Sequence, residues 1–195
     1  MRRSNPPPAR SGSVAREVRH QPALVTARGL RGGCKTIRAL RELAPEARAL
    51  VTGFRGILLV EAAAGERLEL AERVSRGARE RIGRVMAVLA ETPSEELPIR
   101  AAAVEIGLRS VGSGETFCFR LHKRGAHSIV RASQGLEREI GGAIWQALRE
   151  RDGRAPRVDL ARPDVTISAE LLGPRTLICL RRRAWRAQAP DASAS

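Results

Sequence analysis

Two β-rich runs, ALVTGF (Ala49–Phe54) and GILLVEA (Gly56–Ala62), are separated only by a turn between Gly53 and Gly56. A parallel pair needs a crossover of a dozen or more residues, so these strands form an antiparallel hairpin. That constraint orders what surrounds it. Upstream, ALVTA (Ala23–Ala27) is a short apolar run with strand character. After Gly32 and Gly33, residues Ile37, Leu40, Leu43 and Ala44 recur at helical spacing until Pro45 closes the helix. Downstream, Leu68, Ala71, Val74, Ala78 and Ile82 share a helical face, and VMAVLA (Val85–Ala90) reads as a strand. Strand, helix, strand, strand, helix, strand is the split-βαβ or ferredoxin-like order.

A second unit follows the joint expected at Glu91–Ser94. A helix from about Pro98 carries Ile99, Ala102, Ala103 and Ile106 inward, with Glu95 and Glu96 near its positive end. Gly112 to Gly114 leads into the strand FCFRLHKRGAHS (Phe117–Ser128), where Phe117, Phe119 and Leu121 point one way and Cys118, Arg120 and His122 the other. Leu136, Ile140, Ala143, Ile144, Ala147 and Leu148 form the strongest helical stripe, with Ser133 as its expected N-cap. Strands around Val158–Leu160, at VTISAELL and at TLICL complete the chain, the last two joined by a turn at Gly173-Pro174. The expected fold class is α+β: a ferredoxin-like unit over residues 22–93 and a second α/β unit over 94–183. Basic tails without a fold are expected at 1–21 and 184–195.

Charge narrows the function classes. The 195 residues hold 35 basic and 21 acidic side chains, net +14, and all but Lys35 and Lys123 of the basic ones are arginine. Residues 1–21 contribute +4 and residues 181–195 contribute +3, leaving +7 for the body. An excess of this size attracts a polyanion, and nucleic acid fits better than a membrane because no basic amphipathic anchor stands out. No apolar run approaches the ~20 residues of a membrane span. Three isolated cysteines, Cys34, Cys118 and Cys179, suit free thiols in a reducing cytoplasm. Two stretches hold basic but no acidic residues. Between Glu115 and Glu137 stand Arg120, Lys123, Arg124 and Arg131; between Glu170 and Asp191 stand Arg175, Arg181, Arg182, Arg183 and Arg186. Surface charge is usually mixed in sign, so these windows point to a phosphate-binding face. With three Phe, two Trp and no Tyr, phosphate and shape recognition of structured RNA is expected rather than an aromatic stacking platform.

Catalytic and metal chemistry find weaker footing. GLRGGCKT (Gly29–Thr36) nearly spells a phosphate loop but places Cys34 where the pattern needs glycine, and the tight hairpin is at odds with a parallel nucleotide-binding sheet. Cys118, His122 and His127 lack a fourth metal ligand at usual spacing. No nucleophile elbow or paired carboxylates are recognisable. The expectation is no cofactor, no metal and no catalytic residue.

Three ordered motifs carry a resemblance: FCFRLHKRGAHS, SQGLEREIGGAI (Ser133–Ile144) and VDLARPDVTISAEL (Val158–Leu171). Over roughly residues 95–183 they resemble a THUMP domain, the RNA-binding module of several tRNA-modifying enzymes. Upstream, VTGFRGILLVE and ERIGRVMAV resemble the ferredoxin-like unit that precedes it in that family. THUMP proteins usually carry a catalytic domain, for methylation, thiolation, pseudouridylation or deamination. The chain ends soon after the THUMP-like strands, and is most similar to stand-alone THUMP adaptors that bring tRNA to an RNA cytidine acetyltransferase for N4-acetylcytidine formation.

The resemblance implies electrostatic docking of tRNA, at its acceptor-stem end, with a separate modifying enzyme as second partner. The phosphate contacts expected are Lys123, Arg124, His127, Ser128 and Arg131, beside the amides of the helix starting near Ser133. Arg120, Arg138, Arg157, Arg162, Arg181, Arg182 and Arg183 are further candidates, while Asp159 and Pro163 shape a turn. The alternatives are an RNA-binding subunit of a two-chain methyltransferase or thiolation enzyme and, more remotely, a nucleotide-dependent enzyme using Gly29–Thr36.

Overall fold

The computed structural model describes residues 22–27, 32–61, 67–77 and 82–185. The expected tail at 1–21, residues 186–195 of the tail expected at 184–195, and residues 29–31 of the Gly29–Thr36 loop lie outside these residues. Strand β1 (Pro22–Ala27) leads to helix α1 (Gly32–Leu43), then β2 (Arg48–Val51) and β3 (Ile57–Glu61), helix α2 (Arg67–Gly77) and strand β4 (Ile82–Pro93). β2 and β3 pair antiparallel, Val51 facing Leu58, as the short turn requires. β1 inserts between β3 and β4 and is antiparallel to both, which gives the ferredoxin-like order β2-β3-β1-β4. A strand flanked in this way lacks the parallel neighbour of a phosphate-loop sheet.

The second half runs α3 (Glu96–Ser110), β5 (Thr116–Arg124), α4 (Ser133–Asp152), the two-residue β6 (Arg157–Val158), β7 (Val165–Leu172), β8 (Arg175–Arg182) and a 3-10 turn Arg183–Trp185. β5 is parallel to β6 and β7, joined through α4, and β7 turns at Gly173 into antiparallel β8. The two halves share one eight-stranded sheet, β2-β3-β1-β4-β8-β7-β5-β6.

β4 makes this continuity. Its first part pairs with β1 and its second, Ala87–Pro93, with β8, across a register shift between Val88 and Ala90. Glu91 to Pro93 therefore lie inside a strand, where a joint was expected. Pro93, unable to donate a ladder hydrogen bond, stands at its last position. Ile82 opens β4 instead of closing the second helical face. It lies four residues past Ala78, in phase with the stripe, so spacing could not separate the two states. Ala184 and Trp185, counted with the C-terminal tail, belong to the fold: Trp185 is buried in the N-terminal core.

Helices α3 and α4 cover one face of β4, β8, β7 and β5, burying Ile99, Ile106, Phe117, Phe119, Leu136, Ile140, Ile144 and Ile167. Helices α1 and α2 bury Leu40, Leu70, Val74, Val60 and Val85 in a second core. Leu24, Ile57, Met86, Val88, Leu177 and Cys179 form a third cluster, with Phe54 of the β2–β3 turn packed on it.

Candidate nucleic-acid interface

The alternation of β5 sends Phe117, Phe119 and Leu121 into the core beneath α4, as expected. The opposite face carries a charged cluster rather than a row of free cations. Arg124 donates to the carboxylate of Glu170, a fully buried side chain on β7. Arg84 of β4 lies 3.9 Å from the same carboxylate and meets His122 Nε2 at 2.6 Å. Burial, then the charges of Arg84, Arg124 and Arg120, push the His122 pKa down to about 4, so its imidazole is neutral at neutral pH. Burial raises Glu170, against the pull of Arg124 and Arg84. Arg120 reaches the Leu160 carbonyl at 2.8 Å and Glu137 at 3.5 Å, and Glu137 also accepts from the Leu121 amide at 2.7 Å.

The segment after β5 is equally tied down. Lys123 Nζ donates to the carbonyls of Ile129, at 3.1 Å, and of Arg131. Ser128 Oγ donates to the Ser94 carbonyl at 2.8 Å, fixing the segment to the β4–α3 junction. Arg131 bridges Glu96 at 2.8 Å and Glu139 at 2.9 Å. Gly125 is required where it stands: its φ is +72°, and a Cβ there would lie 2.6 Å from Phe54 Cε1. His127 is half-buried, and its Nδ1 lacks a hydrogen-bond partner.

Helix α4 starts at Ser133, but the N-cap is Ala132, with extended backbone and no side-chain acceptor, so the expected Ser133 cap does not form. The first turn also holds no acidic residue. Those amides thus lack a side-chain partner, a setting that suits an anion.

The VDL-x-x-PD run is a folding device. Asp159 Oδ1 accepts from the amides of Ala161 and Arg162, each at 2.8 Å. Asp164 Oδ2 accepts from Thr116, at 2.9 Å from the amide and 2.7 Å from the hydroxyl, fixing β7 beside the start of β5. Backbone donation holds Asp159 below the usual carboxylate range, and the Thr116 donors do the same for Asp164. Arg183 pairs with Asp164 and donates to the Arg162 carbonyl at 3.0 Å. Arg182 binds Glu115 at 2.9 Å and the Ser110 carbonyl at 2.7 Å, and Arg181 reaches Thr166 Oγ1 at 3.3 Å.

The acid-free windows of the sequence are therefore not acid-free in space. Carboxylates outside them, Glu91, Glu96, Glu115, Glu137, Glu139, Asp164 and Glu170, meet six of the nine cations in them. Of the thirteen residues expected to touch RNA, Arg138 and Arg162 are exposed with guanidinium groups free of protein partners, and exposed Arg157 donates to the Gly114 carbonyl at 3.3 Å with its charge felt by Asp164. These three flank β6 and the outer side of α4. Trp145, which composition made easy to overlook, lies there too: half-buried on α4, it donates Nε1 to the Pro156 carbonyl at 3.0 Å, with Arg149 over its ring.

Residues 96–181 match the family model described as THUMP domain, from the first residue of α3 to the penultimate residue of β8. The chain carries a THUMP domain. The probable tRNA sulfurtransferase of Methanosarcina acetivorans is 35% identical over 83 residues, 43% of this chain and 19% of that protein. The tRNA sulfurtransferase of Vibrio campbellii is 39% identical over 66 residues, 34% of this chain and 12% of that protein. The matched stretch thus spans about a fifth or less of these relatives. Two solved structures share the fold over 84% of the chain. TrmN from Thermus thermophilus does so at 20% identity and TM-score 0.54, across 46% of its own length. A 4-thiouridine synthetase–RNA complex with bound ATP does so at 17% identity and TM-score 0.55, across 41% of its length. The likeness therefore takes in the ferredoxin-like half as well as the THUMP domain. Among the described residues, no helix is long and apolar enough to cross a membrane.

Proposed function

We propose that this chain binds tRNA for a tRNA-modification reaction, holding it by phosphate contacts while the chemistry is supplied by a catalytic partner. The observation that carries this is the THUMP match over residues 96–181, with relatives named for tRNA sulfur transfer. The net charge of +14 supports it, as do the partner-free Arg138 and Arg162 and the uncapped start of α4.

Two partner chemistries are to be distinguished. The names of the sequence relatives favour thiolation. An adaptor role in N4-acetylcytidine formation rests on the resemblance of the sequence motifs to stand-alone THUMP proteins. Purifying the tagged full chain from its native cell, with mass spectrometry of bound protein and sequencing of bound RNA, tests both. Enrichment of tRNA with a sulfurtransferase or an acetyltransferase is the expected result. Recovery without tRNA enrichment would contradict the reading.

A further inference from the structure

A groove of about 520 Å³ runs between α4 and the β5–β6 edge of the sheet, on the side that carries the partner-free Arg138. Phe117 and Phe119 border its inner side, the Trp145 ring forms one wall, and Val158 and Leu160 form the lip. Both lip residues are exposed large apolar side chains, at 52% and 63%. Gly141 and Gly142 leave the helix backbone bare along the groove, and a Cβ at Gly142 would meet nothing within 4 Å. The polar lining residues are Arg120, Gln134, Glu137 and Arg138. Arg120 and Glu137 are engaged with the protein, whereas Gln134 and Arg138 are exposed with no protein partner.

Apolar walls with a few unpaired donors and acceptors suit a flat heteroaromatic ring. Charge selects the source of that ring. The exposed, partner-free Arg138 lines the groove, and Arg162 follows the lip residue Leu160 by two residues, so cations are at hand for the phosphates on either side of a base. A base stacked inside a duplex cannot enter such a groove. We propose that the groove between α4 and the β5–β6 edge accepts one unstacked nucleobase of a bound RNA strand. In this arrangement Trp145 packs on the ring, Gln134 meets its polar edge, and Arg138 and Arg162 hold the neighbouring phosphates. The inference rests on the RNA-binding reading and gives it a single-strand element that the scarcity of aromatics had argued against.

The test uses the full chain with a fluorescently labelled single-stranded 12-mer RNA, the same sequence as a blunt duplex, and adenosine monophosphate. Tryptophan emission and RNA anisotropy are both followed. The expected result is that the single strand quenches Trp145 emission, and that Gly142→Leu, which fills the groove, abolishes the quench and weakens single-strand binding about tenfold, the scale of one stacked base. Duplex binding is expected to change less than twofold. Leu160→Glu, at an exposed lip position, is expected to give the same selective loss, and it serves as the measurement should Gly142→Leu not fold by circular dichroism. Folded variants that bind and quench like the parent would overturn the groove while leaving RNA binding intact. Equal quenching by the mononucleotide at equal concentration would overturn the strand as its occupant. A folded parent chain that binds neither RNA would overturn both this inference and the function on which it rests.

Discussion

Arg124 on β5 and Glu170 on β7 form an ion pair across a parallel ladder, although the residue in register with Glu170 is His122. The guanidinium crosses the strands diagonally to reach a carboxylate that has no exposed surface. A cation placed by the sequence at the end of a basic strand thus serves first to compensate a buried charge.

Removing Arg124 while keeping Glu170 leaves that charge with only the more distant Arg84. Arg124→Ala is expected to destabilise the fold by about 3 kcal/mol in urea unfolding, toward the lower end for a broken buried pair because Arg84 remains. The loss should be largest at alkaline pH and shrink on acidification, as Glu170 takes a proton. Replacing both residues together, Arg124→Met with Glu170→Leu, should recover most of the stability. A fall in RNA binding by Arg124 variants therefore has to be read beside their fold.

His122 gives a pH prediction with a definite sign. Its folded pKa of about 4 lies below the ordinary 6.5, so the unfolded chain takes a proton first as the pH falls. Its contribution to stability is present above pH 6.5 and is lost progressively between about 6.5 and 4. Glu170, whose pKa is raised, works in the opposite sense, so the full dependence emerges by comparison with His122→Gln, which should flatten the decline. In NMR titration the His122 ring signals should show a midpoint near 4, and His122 should contribute no gain in tRNA affinity between pH 7.5 and 5.5.

Gly125→Ala and Gly56→Ala separate backbone strain from packing. Both glycines have positive φ, +72° and +75°, but a side chain at Gly56 meets nothing within 4 Å whereas one at Gly125 meets Phe54. Gly56→Ala should cost roughly 1–2 kcal/mol, the left-handed penalty alone. Gly125→Ala should cost more by chemical denaturation. Equal costs would mean that Phe54 yields without loss.

Much of the fold was legible because its signals are local. The hairpin follows from loop length, the α4 stripe from spacing, and the outward and inward faces of β5 from alternation. What stayed hidden is what depends on distant pairing. Nothing near Glu91 to Pro93 shows that β8 lies alongside them, so a strand read as a joint. The ion pairs of the basic windows were hidden for the same reason: Arg131 meets Glu96 from another element, and Arg182 meets Glu115 across 67 residues. Counting aromatics likewise could not show that Phe117, Phe119 and Trp145 border one groove.

In the proposed binding mode, phosphate binding on the THUMP half depends on the arginines that the fold leaves unengaged. Filter binding of tRNA to the full chain across a salt series tests it most directly, comparing the parent with Arg138→Gln/Arg162→Gln and with Arg182→Gln. A steep linear fall of log affinity with log salt is predicted for the parent. The slope should be shallower by about two in the double variant, at unchanged stability, since each phosphate contact contributes about 0.9. Arg182→Gln should lower stability, through Glu115 and the Ser110 carbonyl, with little change in slope. Binding that ignores salt, or a double variant that binds tRNA with the parent's affinity and slope, would rule out this binding mode.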